Sequence, residues 1–293
     1  MDMVVKAGHI PVPGETVLGG KFFMNPGGKG ANQAVAVSRL GGNVVFLSKV
    51  GTDIFGRQSI QHLEQEGIDT TSLVTDDSCA TGVALITVDD HGENSIVVAP
   101  GANAELRPED LTKTFSGIAD ASFMLIQLEI PMDTVRNAAE IGAKRGIKVI
   151  LNPAPANDKI SEIFPFVDII TPNSTEAEML TGIQVSDIES AKRAAVAIHE
   201  KGIENVVITI GPKGALVSEN GVSTHVPALV VDTIDTTAAG DAFNGALAVY
   251  LSEGKSLVEA VKFACSVAAI TVTRLGAQAA MPFRKEVSTY LSN

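Results

Sequence analysis

A chain of 293 residues with a formal net charge of −12 is long enough to bury a large α/β core, and it lacks the basic stripe that a nucleic-acid surface needs. Its two cysteines, Cys79 and Cys265, lie far apart and exclude a disulfide scaffold, while the five histidines (His9, His62, His91, His199, His225) have no metal-ligand spacing. No apolar run reaches the roughly 18 residues of a membrane helix, and the start MDMVVKAGHIPVPGE has no signal-peptide core, so a soluble cytoplasmic chain without nucleic-acid or membrane partners is expected.

Residues 16–23 read as a strand that no helix follows. The segment Pro26-Gly27-Gly28-Lys29-Gly30-Ala31-Asn32-Gln33-Ala34 comes next. Its glycines let backbone approach a ligand closely, and Asn32 can donate and accept toward sugar hydroxyls. It is not a Walker loop, which needs Gly-Lys-Ser/Thr, and a tight turn before a close-packed helix is the plainer alternative. Residues 44–50 predict a strand, and 55–66 a helix stopped by Gly67. Residues 81–88 and 95–99 predict strands joined by a polar loop containing Gly92, a hairpin signal. With the amino-terminal strand they are expected to form a small separate sheet, the alternative being an antiparallel extension of the main one.

From there the pattern becomes regular. Strands over 122–128, 147–151, 167–170 and 206–210 are expected to be separated by helices, as over 132–145. That alternation predicts a doubly wound, mostly parallel sheet flanked by helices. Glu129 stands just past the first of these strands. Asn173-Ser174-Thr175-Glu176 follows the third, where open α/β sheets bind ligands, although a plain helix cap fits the same residues. Thr209-Ile210-Gly211-Pro212-Lys213-Gly214 is a glycine turn after the fourth. Helices are expected over 241–251, 257–272 and 284–291.

The most informative segment is Asp235-Thr236-Thr237-Ala238-Ala239-Gly240-Asp241-Ala242-Phe243-Asn244-Gly245. Three small residues precede an aspartate that opens an apolar helix. Small side chains let consecutive N–H groups crowd an anion, and the helix start adds partial positive charge. A carboxylate beside such a site can act as general base. Asp241 as a simple helix cap is the alternative.

Together these segments resemble the ribokinase branch of the phosphofructokinase-B-like carbohydrate kinases, from Asp2 to about Phe283. Residues 28–32 with Gly51-Thr52-Asp53-Ile54-Phe55-Gly56 resemble the family's amino-terminal signature, and residues 235–241 its more specific carboxyl-terminal one. Residues 171–176 match its metal–phosphate motif. Leu151-Asn152-Pro153-Ala154-Pro155 and Gly276-Ala277-Gln278 are similar to that branch in particular.

The resemblance implies one kinase domain over 1–293, with a β lid drawn from about 3–23 and 81–99 that commonly pairs two subunits into a homodimer. It implies ATP-dependent phosphorylation of ribose at O5, with a nucleoside or another sugar, or binding without catalysis, as alternatives. Asp2, Gly28, Lys29, Gly30, Ala31, Asn32, Glu129 and Asp241 would contact the sugar. Asp241 would be the base, and Ala238, Ala239 and Gly240 the anion hole. Asn173, Thr209, Ile210, Gly211, Pro212, Lys213, Gly214, Gly240 and Cys265 would line the nucleotide site, with Glu176 acting on Mg²⁺ through water. A K⁺ site would use Asp235 with carbonyls of Thr237, Thr271, Arg274 and Gly276, and Ala280 stands where the family offers a serine. In the family a strand and a Gly-Ser-x-Asn segment precede the position of Asp2, so an extra amino-terminal strand is expected to belong to the functional protein.

Overall fold

The computed structural model describes residues 1–18, 20–115, 118 and 120–292. The chain opens with β1 (Asp2–Lys6) and β2 (Lys21–Asn25), followed by α1 (Lys29–Arg39). Next come β3 (Lys49–Gly51), α2 (Ile54–Gln65), β4 (Val74–Asp76) and the hairpin β5 (Val83–Val88) and β6 (Asn94–Ala99). The alternating region comprises α3 (Pro108–Phe115), β7 (Phe123–Ile126), α4 (Met132–Lys144), β8 (Lys148–Leu151) and β9 (Ile169–Ile170). It continues through α5 (Ser174–Thr181), α6 (Ile188–His199), β10 (Asn205–Thr209), β11 (Ala215–Glu219) and β12 (Val222–Val226). Three helices close the chain: α7 (Ala239–Ser252), α8 (Leu257–Thr271) and α9 (Arg284–Ser292).

The main sheet has the order β12-β11-β10-β9-β8-β7. β7 to β10 run parallel, and β11 and β12 are antiparallel additions at one side. Along β10, Val207 packs into one core with α1, α7 and α8, while Val206 and Ile208 pack into a second core with α4 and α6. This period-two split buries both sheet faces, which is why the strands read as continuous apolar runs. β1, β2, β5 and β6 form a separate sheet of order β2-β1-β5-β6, with β1 parallel to β5. The doubly wound architecture and the small separate sheet are as expected.

Several boundaries differ for physical reasons. The strand expected over 16–23 lies instead at β2, because the connection turns at Gly20 (φ 104°), where a Cβ would meet the Lys6 carbonyl oxygen at 1.9 Å; Gly19 lies outside the described residues. The strand expected over 44–50 shrinks to β3. The turn closed by Leu73 N–H on the Thr70 carbonyl interrupts its partner segment, and only a bridge between Val45 and Asp69 continues the pairing. The β8–β9 crossover contains 3₁₀ turns and no α-helix among the described residues, in a segment carrying Pro153, Pro155 and Pro165. The β11–β12 hairpin was legible but unexpected: its turn is Asn220-Gly221, with φ of 51° and 75°, the strongest short hairpin signal.

For the site, the decisive packing is α1 against α7. A Cβ on Gly245 would lie 2.6 Å from Ala36 Cβ and 3.0 Å from the Gln33 carbonyl oxygen, so the helices touch backbone to backbone. Gly245→Ala is expected to destabilise the fold by about 1–3 kcal/mol through overpacking, despite alanine's better helix propensity. A thermal melt unchanged by the substitution would show that the crossing has slack.

Candidate active site

The crossing brings the α1 motif onto Asp241. Asn32 Nδ2 donates to Asp241 Oδ2 at 2.9 Å, and Gln33 Nε2 donates to Oδ1 at 3.0 Å. Asp241 is 6% exposed, and burial pushes its carboxyl above the usual range; the Asn32 and Gln33 hydrogen bonds and the Lys29 charge pull the other way. The donors are themselves held. Gln278 Nε2 donates to Asn32 Oδ1 at 3.0 Å, Gln33 Nε2 also reaches Asn152 Oδ1 at 3.1 Å, and Gln127 Nε2 donates to Gln33 Oε1.

Two more carboxylates stand at the start of α1. Glu129 Oε2 accepts the Lys29 N–H at 2.8 Å, and a Cβ on Gly27 would lie 2.1 Å from Asp2 Oδ2. Gly28 has φ 93°, a turn that glycine makes without strain. Burial raises the pKa of both Glu129 and Asp2, and repulsion from Asp241 adds to each. Three acceptors beside a glycine-rich turn suit a ligand rich in hydroxyl donors.

At the start of α7, Ala238 takes the left-handed conformation (φ 58°) and offers no side-chain cap. Ala239 N–H bonds the Thr236 carbonyl at 3.2 Å, while Gly240 and Asp241 lie in the first turn, whose N–H groups lack intrahelical acceptors. A Cβ on Gly240 would meet nothing within 4 Å. An open, uncapped helix start of this kind binds anions.

The remaining motifs assemble at neighbouring strand ends. Asn173 caps α5 and bridges to Thr209, whose N–H bonds the Pro172 carbonyl at 3.0 Å. Ile210 N–H closes the 3₁₀ turn 211–213 on the Gly214 carbonyl at 2.7 Å, and Lys213 Nζ donates outward to the Ser186 carbonyl. Glu176 Oε2 accepts the Asn173 N–H at 2.9 Å; burial raises its pKa, and the Asp241 charge adds to the rise. Among the described residues no cluster of three His, Cys, Asp or Glu forms a metal cage. A lone carboxylate fits Mg²⁺, which keeps its waters and takes its other ligands from substrate phosphates.

Asp235 binds Gly276 N–H through Oδ2 and Thr237 through Oδ1. Burial works to raise its pKa, but these hydrogen bonds outweigh it and hold the carboxylate below the usual range. Arg274 N–H bonds the carbonyl of Thr271 at the end of α8, the Arg274 guanidinium reaches Glu286, and Ala280 is fully buried. Asp235, Thr237 and Gly276 thus lie together around an ionised carboxylate.

The amide shell of Gln33, Gln127, Asn152 and Gln278 was given no role by the sequence. Gln33, Asn152 and Gln278 lie within conspicuous motifs, but nothing in a linear pattern says that Gln33, 208 positions away, will face Asp241. The Gly51–Gly56 motif likewise proves structural: Asp53 caps α2 and accepts Thr81 N–H and Oγ1–H at 2.7 and 2.8 Å.

The model of the pfkB family carbohydrate kinases matches residues 1–284. The chain is 47% identical over 292 residues to a ribokinase of Haemophilus influenzae, covering 100% of this chain and 95% of that one. A crystal structure of a Thermotoga maritima ribokinase superposes with a TM-score of 0.89 at 41% identity, covering 100% of this chain and 96% of that one. An Arabidopsis thaliana ribokinase complexed with ribose and ATP superposes with a TM-score of 0.89 at 30% identity, again covering 100% and 96%.

Cys265 stands apart from these groups. Its side chain lies in the core with Val217 and Val226, and burial pushes the thiol up to about 12. It is expected to resist thiol reagents in the native protein and react on denaturation, because the thiolate is the reactive form. Native labelling at Cys265 as fast as at half-buried Cys79 would contradict this.

Proposed function

The chain belongs to the pfkB family of carbohydrate kinases, and from that premise we propose that it transfers the terminal phosphoryl group of ATP to O5 of ribose. The observation that carries the reading is the buried Asp241 carboxylate, held by two α1 amides at the uncapped start of α7. In this mechanism Asp241 takes the proton of the primary hydroxyl as O5 attacks, and a raised pKa brings its basicity closer to that of the task. N–H groups at Ala238, Gly240 and Asp241 stabilise charge on the transferring group, while the Ala239 N–H is held by the Thr236 carbonyl and shapes the turn. Asp2, Glu129, Asn32 and the turn 28–31 orient the sugar. Asn173 and the backbone of Thr209 to Gly214 hold the nucleotide, while Cys265, buried in the core, takes no direct part. Glu176 would hold Mg²⁺ through water, and that ion would supply charge neutralisation at the phosphates.

Three further elements belong to the proposal. Asp235 and the carbonyls of Thr237, Thr271, Arg274 and Gly276 would hold K⁺ beside the helix start, without help from Ala280. A second copy packs on the lid, where Ile96, Val97 and Val98 of β6 are all more than half exposed. The two free thiols support a reducing, cytoplasmic setting.

Comparing ribose, 2-deoxyribose and nucleosides as acceptors, in KCl and in NaCl, tests the substrate and the cation together. The highest kcat/KM is expected for ribose in KCl; preference for a nucleoside, or equal rates in both salts, would overturn the respective part. Asp241→Asn is expected to lower kcat by roughly 10²–10⁴-fold with a smaller effect on ribose binding. A variant keeping half its turnover would remove Asp241 as the base.

A general base works ionised, so activity falls as pH drops through its pKa. Burial raises that value, so the acid limb of kcat/KM is expected above the ordinary Asp value of about 3.9. A limb at or below that value would contradict the assignment.

A further inference from the structure

Asp241 is one end of a hydrogen-bond chain that leaves the site and crosses to another element. Asn32 donates to Asp241 Oδ2 at 2.9 Å, and Gln278 Nε2 donates to Asn32 Oδ1 at 3.0 Å. His62 Nε2 lies 2.7 Å from Gln278 Oε1. Asn32 and Gln278 are 6% and 3% exposed, so neither amide can trade a lost partner freely for water.

The direction of this chain is forced. An ionised carboxylate only accepts, so Asn32 must turn its NH₂ to Asp241 and its oxygen to Gln278. Gln278 must then present its NH₂ to Asn32 and its own oxygen to His62. A donor is required there, which sets the His62 tautomer with hydrogen on Nε2. Reversing either amide would set oxygen against oxygen somewhere along the line. The far end is braced as well. Arg39 donates to the Gln278 and Met281 carbonyls at 2.6 and 2.8 Å, and its Nε and Nη2 bind the Glu66 carboxylate at 2.8 and 2.6 Å. Gln278 is thus held at its backbone by α1 and at its side chain by α2.

We propose that His62 is a positioning residue for phosphoryl transfer, acting through Gln278 to hold the Asn32 amide between sugar and Asp241. The proposal rests on the reading of Asp241 as the base. Without the His62 donor, Gln278 Oε1 loses its partner and its amide is free to turn over. Asn32 then loses the contact that fixes its oxygen, and both the sugar and the carboxylate feel the change. The nucleotide, held by other elements, does not.

The test uses His62→Phe, which keeps a ring without the donor, and His62→Gln, whose amide N reaches about as far as Nε2. His62→Phe is expected to lower kcat and raise the ribose KM, each about three- to tenfold, the worth of one neutral hydrogen bond, with the ATP KM unchanged. His62→Gln should recover at least half of both effects. The double variant His62→Phe/Gln278→Met should be no slower than Gln278→Met alone, because the two act in one line.

Unchanged ribose kinetics in His62→Phe, equal losses in Phe and Gln variants, or losses that multiply in the double variant would each overturn the proposal. If His62→Phe does not fold, Gln278→Met cuts the same line, and an unchanged ribose KM there overturns it too. The two readings fail separately: an active Asp241→Asn removes the base, whereas an inactive Asp241→Asn with normal His62→Phe removes only the relay.

Discussion

A carboxylate taken out of water must be matched by donors, and the structure around Asp241 is organised by that requirement. Stranding a charge in a protein interior costs several kcal/mol, while a hydrogen bond to a charged group returns roughly 1.5–3 kcal/mol. At Asp241 burial outweighs the two amide donors and the Lys29 charge, so its pKa is raised. A guanidinium in their place would hold the carboxylate too firmly ionised to serve as a base. Amides leave it hydrogen-bonded and still basic. The geometry follows from this choice: α1 must approach α7 closely enough for Asn32 and Gln33 to reach, and Gly245 permits it. Those amides then need partners of their own, drawn from the turn after β7, the end of β8 and the 278–280 turn.

The lid is tied to the body by a second small set of contacts. Thr81, just before β5, donates to Asp53 and accepts the Gly51 N–H at 3.0 Å. A Cβ on Gly56 would lie 1.9 Å from the Gly51 carbonyl oxygen, and one on Gly101, just after β6, 2.3 Å from the Ala80 carbonyl oxygen. Both ends of the β5–β6 hairpin thus leave the body through a junction closed at backbone distance. The same Asp53 carboxylate accepts the Gly56 N–H at the start of α2, the helix that carries His62. One capping aspartate therefore fixes the lid's root and the orientation of the element that braces Gln278.

Much of the fold was legible because its signals are local. The apolar runs of β8 and β10, the stops at Gly67 and Gly146 and the polar loop between β5 and β6 each act within a few residues. Boundaries slipped where a distant partner decides them: β2 begins where pairing with β1 allows, and β3 ends where β4 does. The site divides the same way. Asp241 and the small residues before it mark an open helix start by their order alone. Gln278 carries no such mark, since an amide in a short turn could point anywhere, and only the long-range meeting of α1, α2 and the 278–280 turn gives it a task. The Asn220-Gly221 turn is the opposite case, a local signal that alone accounts for the β11–β12 hairpin.

The three acids gathered near the starts of α1 and α7, Asp2, Glu129 and Asp241, share one electrostatic condition. Burial raises each pKa, and each repels another of the set. A carboxyl whose folded-state pKa exceeds its unfolded value favours the folded state fully below the unfolded value. That contribution is lost as pH rises through the folded value. Near neutral pH these groups therefore hold stability down, and the uncapped start of α7 beside them leaves N–H groups waiting for an acceptor. A sugar supplies hydroxyl donors to the first set, and a phosphate supplies acceptor oxygens to the second. The free protein carries two opposite unmet demands side by side, and a phosphoryl group in transit to a hydroxyl is a species that answers both together. Under the proposed reading, the site is matched to the transition state more than to either substrate alone.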